Sequence, residues 1–429
     1  MIKVYRAVIV AFVLVAGVCA CSGLPGTSNG LRASNWNTSY TPTPSPSPNP
    51  LASALIVFSS QNEGVYPNSD LKLVGGKLYG TTAGYQNFVC NCGTVYATTP
   101  RGDASVLHVF NGGSDGAHPS GDLAYANGTF YGVTSGGGSA TGCGSSRSKP
   151  NGCGTLYSVT LSGKERVLHA FTVYSGYYPA GSLVYLKGKL YGTTPYGSTT
   201  NAGMVWSFDL ATGTLKSLHD FVNGQADADG GLTLIGSTLY GATASNYNGV
   251  ECMKNHDECG TVFSIGTDGT NFKVLHTFDG ADGATPMSGL AKAGDFLYGT
   301  TAFGGKGCVS NGGCGTIYSI DTAGRFTSLL KFSADATQGT NPVGTPFVAN
   351  GILYGATEFG GQTQCESYRS GCGAIYAFHL GSKTQHVLYS FNGTVGAQPL
   401  AGVVLDGSAI YGTTYGGDYS YGTLYRYQL

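Results

Sequence analysis

Leu78-Tyr79-Gly80-Thr81-Thr82 decides the fold, because it returns six more times, at 130–134, 190–194, 239–243, 297–301, 353–357 and 410–414. Each copy keeps an apolar residue, Tyr and Gly in that order and ends on Thr. Successive Tyr residues lie 49 to 60 positions apart. A period of that size marks a repeat architecture, in which each unit buries its apolar face against the next.

Three other pieces travel with the motif. Ahead of it stands a short apolar run opened by Gly or Ser, as in Ser69-Asp70-Leu71 and Gly121-Asp122-Leu123. Behind it, after a Gly-rich loop, comes a β-branched or aromatic run such as Gly93-Thr94-Val95-Tyr96. The unit ends on Val106-Leu107-His108-Val109-Phe110 and its echoes. These pieces have strand length and strand punctuation, and Asn-Gly or Asp-Gly turns such as Asn127-Gly128 join them as hairpins. The sequence therefore predicts an all-β, seven-bladed β-propeller with four antiparallel strands per blade. The last unit stops at its third strand, and residues 54–58 ahead of the first unit supply the missing fourth. An N-terminal strand at 54–58 is thus expected to pair with a C-terminal strand at 421–429 and close the ring, which removes two open sheet edges.

Together these runs resemble the GloVer tandem repeat of bacterial surface proteins known as choice-of-anchor proteins, over residues 51–429. The resemblance implies export and a variable anchor, and no established activity.

Composition agrees with short strands and tight turns. Gly accounts for 70 of 429 residues, aromatics for 12% and charged residues for only 10%. The net charge of −1 offers no basic field to nucleic acid. Residues 1–20 read as a lipoprotein signal peptide: Lys3 and Arg6 precede an apolar stretch too short to span a bilayer. Val18-Cys19-Ala20-Cys21-Ser22 resembles a lipobox with Cys21 as the acylated residue. The resemblance implies a membrane partner through that lipid and, with Ser22 next, the outer membrane or cell surface. Residues 21–50 form a Pro/Ser/Thr-rich tether, whose alternating prolines from Pro42 to Pro50 stay extended at about 3 Å per residue. Residues 51–429 are the propeller, expected to be monomeric.

Ten cysteines fall in five pairs at one repeat position: Cys90/Cys92, Cys143/Cys153, Cys252/Cys259, Cys308/Cys314 and Cys365/Cys372. Gain or loss in pairs, with export, points to local disulfides between strands two and three, each contributing about 2–3 kcal/mol. Cys90/Cys92 is the doubtful pair, because one intervening residue strains disulfide geometry. Zinc would need four ligands at one point, whereas neighbouring pairs sit on different blades. The outer-strand column His108, His169, His219 and His276 is also spread over four blades and reads as packing.

No nucleophile elbow, metalloprotease helix or phosphate loop occurs. Asp227-Ala228-Asp229-Gly230 and the run at 279–283 are the candidates for Ca²⁺, against the simpler reading of Asp-Gly turns; otherwise no cofactor or metal is expected. Candidate ligand-binding residues are the aromatics just past the Thr-Thr motif, Tyr85, Tyr196, Tyr247, Phe303, Phe359 and Tyr415, with Glu358 beside them. Such a ring suits a glycan or a surface protein, the alternative being that the aromatics merely fill space between blades. The expectation is a surface-anchored recognition or scaffold propeller. The alternatives are a polysaccharide lyase or glycoside hydrolase and a purely structural coat or spacer. An enzyme would need paired carboxylates, to be sought among Glu358, Asp115, Asp227, Asp282 and Asp335, or a Tyr/His/Arg cluster, to converge at the channel mouth.

Overall fold

The computed structural model describes residues 51–59, 64–84, 92–140, 142–143, 152–222, 227–244, 259–305, 313–333, 336–361, 371–418 and 421–429. The expected signal peptide and tether, with Cys21, lie outside them. The chain forms seven antiparallel sheets in a ring, a seven-bladed β-propeller. In each blade, successive strands run from the axis outward. Blade 2 is representative, with Ala117–Ala126, Thr129–Gly136, Thr155–Thr160 and Glu165–Ala170. In blade 1 the inner strand is split into Val65–Pro67 and Lys72–Val74, both paired to Lys77–Gly84. Ala52–Val57 pairs antiparallel with Thr423–Gln428 and serves as the outer strand of blade 7. The ring is therefore closed by its two ends, as the incomplete last repeat requires.

Seven hydrophobic clusters hold the ring, one at each junction between neighbouring blades. Their shared design accounts for the repeat motif. The Gly of each Tyr-Gly faces, directly across the ladder, the aromatic of the next strand: Gly80 faces Tyr96, Gly192 faces Trp206 and Gly299 faces Tyr318. A Cβ on any of the seven glycines would lie 2.3–2.6 Å from that ring, so the position is Gly because the aromatic occupies the space a side chain would need. Phe263 fills this column in blade 4 without a hydroxyl, and the Tyr96, Tyr318 and Tyr425 hydroxyls are buried without partners. Packing, not hydrogen bonding, selects the residue.

The closing Phe of each unit then meets the next blade's aromatic edge-on or tilted. The seven pairs, from Phe58–Tyr96 through Phe110–Tyr157 to Phe391–Tyr425, have ring centroids 5.0–5.6 Å apart. This geometry adds about 0.5–1.5 kcal/mol per pair beyond the area buried. Phe58 belongs to the N-terminal strand and meets blade 1, so closure continues the same seam. Every outer strand also carries one bulge, at the Leu before His in blades 1 to 4, as at Val167/His169 and Ala54/Ile56. The bulge turns the His and the Phe into the junction.

At the axis the inner strands press together. Gly121 and Gly344 adopt left-handed backbone (φ 70° and 67°), and a Cβ on Gly121 would come within 2.0 Å of Gly181 O. Asp70 in blade 1 accepts from the amides of Thr345 (3.2 Å) in blade 6 and Gly402 in blade 7. Blades 1 and 6 are not neighbours, so the first of these bonds crosses the centre. The amide of Asp70 donates to Asp122 Oδ1 at 2.7 Å, and Ser182 Oγ donates to Asp122 Oδ2. Burial, and then the charge of Asp122, push the Asp70 carboxyl up to about 8. It is a protonated acid at neutral pH, tying four blades at a constricted axis.

Candidate functional site

The loops joining strands two and three and those joining blade to blade lie on one face. Where each inner strand begins on that face, one non-glycine residue has left-handed backbone. These residues are Tyr66, His118, Tyr178, Asp227, Thr285, Asn341 and Gln398, with φ between 52° and 61°. Six of them stand directly before Pro, which itself disfavours helical backbone. A non-glycine residue in this region costs about 1 kcal/mol or more, and the β-branched Thr285 is the most strained of the set.

Inter-blade hydrogen bonds impose the conformation. The amides of His118, Tyr178, Thr285, Asn341 and Gln398 donate to the carbonyls of Cys92, Cys153, Cys259, Cys314 and Cys372, each in the preceding blade, at 2.7–3.0 Å. Tyr66 donates likewise to Tyr421 O at 2.9 Å. These five cysteines are disulfide-bonded. Cys143 pairs with Cys153, with Cα atoms 5.2 Å apart. Cys90, Cys252, Cys308 and Cys365, the partners expected for the rest, lie outside the described residues. Each disulfide thus steadies the carbonyl on which the next blade's left-handed residue hangs.

The seven side chains are of six kinds, with only Tyr recurring, although the backbone beneath them repeats. His118 Nδ1 donates to Ala83 O at 2.8 Å, and Asn341 Nδ2 to Ala302 O at 2.9 Å. Tyr178 Oη donates to Cys143 O at 2.5 Å. Asp227, Thr285 and Asn341 are each only 8% exposed, while the other four are half-buried. Together they form a polar floor in the clefts between blades. Burial and the neighbouring Asp229 push the Asp227 carboxyl up to about 7, against a hydrogen bond from Tyr196. Asp227 Oδ1 and Thr285 Oγ1 are buried with no hydrogen-bond partner among the described residues.

Two of the candidate aromatics join this floor. Tyr196 stacks on Tyr177 at 5.6 Å, with the edge of Tyr178 at 6.3 Å, and hydrogen-bonds to Asp227. Tyr415 stacks on Tyr66 at 4.7 Å, with Tyr421 edge-on to Tyr66 at 6.1 Å. The loop face therefore has an aromatic sector around blades 3 and 4 and another where blade 7 meets blade 1. Phe303 is half-buried against the junction of blades 4 and 5. Phe359 ends the second strand of blade 6, half-buried, opposite Thr340. Glu358 beside it is half-buried, and burial pushes its carboxyl up to about 7. Tyr85 and Tyr247 lie outside the described residues.

The acidic candidates are dispersed. Asp115 lies 3.6 Å from His108 and Asp282 lies 2.8 Å from His276, so each is held against the outer strand of its own blade, blades 1 and 4. Asp335 lies outside the described residues. Among the described residues no group of three or more His, Cys, Asp or Glu is placed to hold a metal ion. The outer-strand histidines pack as expected, edge-on to the Phe two residues on, with His219 and His276 also stacked at 3.6 Å on Phe272 and Phe326.

Sequence reasoning passed over the left-handed ring, although a signal was present. Gly-x-x-Pro precedes the inner strand in six units, as at 64–67, 116–119 and 176–179, and the two residues between the constant Gly and Pro vary.

A family model described as the Gloeobacter/Verrucomicrobia repeat matches residues 249–425. No curated protein matches the chain. Among solved structures, an oligogalacturonate lyase in complex with manganese is similar over 88% of this chain and 93% of that one, with 15% identity and a TM-score of 0.51. An oligogalacturonate lyase from Vibrio parahaemolyticus covers the same shares at 12% identity with a TM-score of 0.46. At such identities the likeness concerns the fold alone.

Proposed function

We propose that this chain, whose residues 249–425 match the Gloeobacter/Verrucomicrobia repeat model, is an exported recognition module whose loop face binds an uncharged glycan. Its place is the bacterial outer membrane or cell surface, held through a lipid on Cys21 and the tether. The observation that carries the reading is the ring of seven polar side chains, of six kinds, on one repeated and strained backbone geometry. Strain maintained in every blade at a position of variable chemistry fits selection for contact with a ligand. Tyr66, Tyr177, Tyr196 and Tyr415 supply flat faces for sugar rings, and Asp227, Asn341 and Gln398 supply hydroxyl partners.

A polyuronate is a poorer fit. The loop side carries carboxylates at Asp115, Asp227, Asp229, Asp279, Asp282 and Glu358, which repel an acidic polymer. The lyase reading also lacks support from the dispersed acids. A glycan array probed with the mature chain, with Tyr178→Ala and Asp227→Ala beside it, tests the proposal. Binding to neutral glycans that both substitutions abolish supports it. Binding confined to acidic glycans or to proteins, or indifference to both substitutions, overturns it.

A further inference from the structure

The propeller is electrically two-sided. Of the 14 Lys and Arg among the described residues, 13 lie on the hairpin side, at the turns joining strands one to two and three to four or at the strand ends beside them. Among the described residues only Lys331 lies at a loop-side strand end. Among the described residues seven carboxylates share the hairpin side, leaving it at +6, whereas the loop side and axis hold ten acidic side chains, the buried Asp70 among them, against Lys331 alone. Lys72, Lys77, Lys164, Lys187, Lys273 and Lys383 are all exposed, so the positive side consists of solvated ammonium groups.

The chain also joins the propeller on that side. Ala52–Val57 is an outer strand, and like the other outer strands it begins at the hairpin end. Leu51 O accepts from the Gln428 amide at 2.8 Å, and Gln428 Nε2 donates to Ser408 O at 3.0 Å, in the turn between the first two strands of blade 7. Leu51, the first described residue, thus stands on the basic side.

We propose that the hairpin side is a membrane-facing surface that rests on anionic lipid headgroups, with the loop face turned away. The ammonium and guanidinium groups meet lipid phosphates, and release of their counterions makes the contact salt-sensitive. The acidic loop side is repelled by the same surface, so one orientation is selected. This holds whatever the loop face binds and whether or not Cys21 is acylated.

The test uses the mature chain with Cys21→Ser, so that no acyl chain contributes, sedimented with phosphatidylcholine vesicles with and without phosphatidylglycerol. Partitioning onto the phosphatidylglycerol vesicles alone is expected, fading as salt rises. In Lys72→Gln/Lys77→Gln/Lys164→Gln/Lys187→Gln it should fall by about fivefold per charge removed. Lys331→Gln and Asp227→Ala should leave it unchanged, which separates this outcome from loss of glycan binding. Equal partitioning onto both vesicles overturns the proposal. So does indifference to the quadruple substitution, or retention on heparin without vesicle binding.

Discussion

Two columns of the repeat are built on opposite terms. In the seam, Gly faces an aromatic ring and Phe meets the next ring, and all seven blades agree. In the left-handed ring the backbone agrees and the side chains do not. The seam is fully buried between blades, where volume is fixed by both neighbours, so only one solution packs. The ring lies in the clefts between blades, where His118, Tyr178 and Asn341 each reach the preceding blade through a different group and no single side chain is required. The contrast separates what the propeller needs in order to fold from what it is free to vary for recognition.

Breaking the seam should have the largest effect. Phe58→Ala removes the pair with Tyr96 at the closure, and the expected loss is about 3–5 kcal/mol. Chemical denaturation measures it, and a loss below that of Phe221→Ala in mid-ring would mean that closure is not a full seam. Gly299→Ala, whose Cβ would lie 2.4 Å from Tyr318 Oη, should cost about 1–3 kcal/mol by overpacking. A neutral result would show that the aromatic can retreat.

The ring should respond in the other direction. Thr285→Gly relieves left-handed strain and deletes a buried unpaired hydroxyl, so stability should rise by about 1 kcal/mol while loop-face binding weakens. A destabilised variant would place Thr285 with the seam residues instead.

Between the two columns lies the axis. Asp70 has a folded pKa raised to about 8 from 3.8. Between those values the folded state holds a proton that the unfolded state has released. The stabilisation from this group is therefore complete at acid pH and is lost as pH rises toward and through 8. Asp70→Asn keeps an acceptor and cannot ionise. Thermal melts should show the variant gaining on the wild type as pH rises from 4 to 8. Parallel curves would mean that Asp70 titrates normally.

Much of this was legible beforehand. Tyr-Gly spacing counted the blades, and the truncated last repeat with its spare strand at 54–58 foretold closure, which occurs between Ala52–Val57 and Thr423–Gln428. Tyr196 and Tyr415 were visible as loop-face aromatics. Their partners Tyr66 and Tyr178 were not, and Asp227 stood out only as an acid, because each reaches the site from the start of an inner strand.

By itself, then, the sequence determined the repeat, the strand order, the ring and the cysteine positions, since these follow from local periodicity that every unit restates. Only the tertiary structure decided which side chains meet: the strain at His118 and Thr285, the Asp70 contacts across the axis and the charge separation between the two sides. Those depend on juxtaposing residues from different blades, and closure of the ring, not chain neighbourhood, sets such distances.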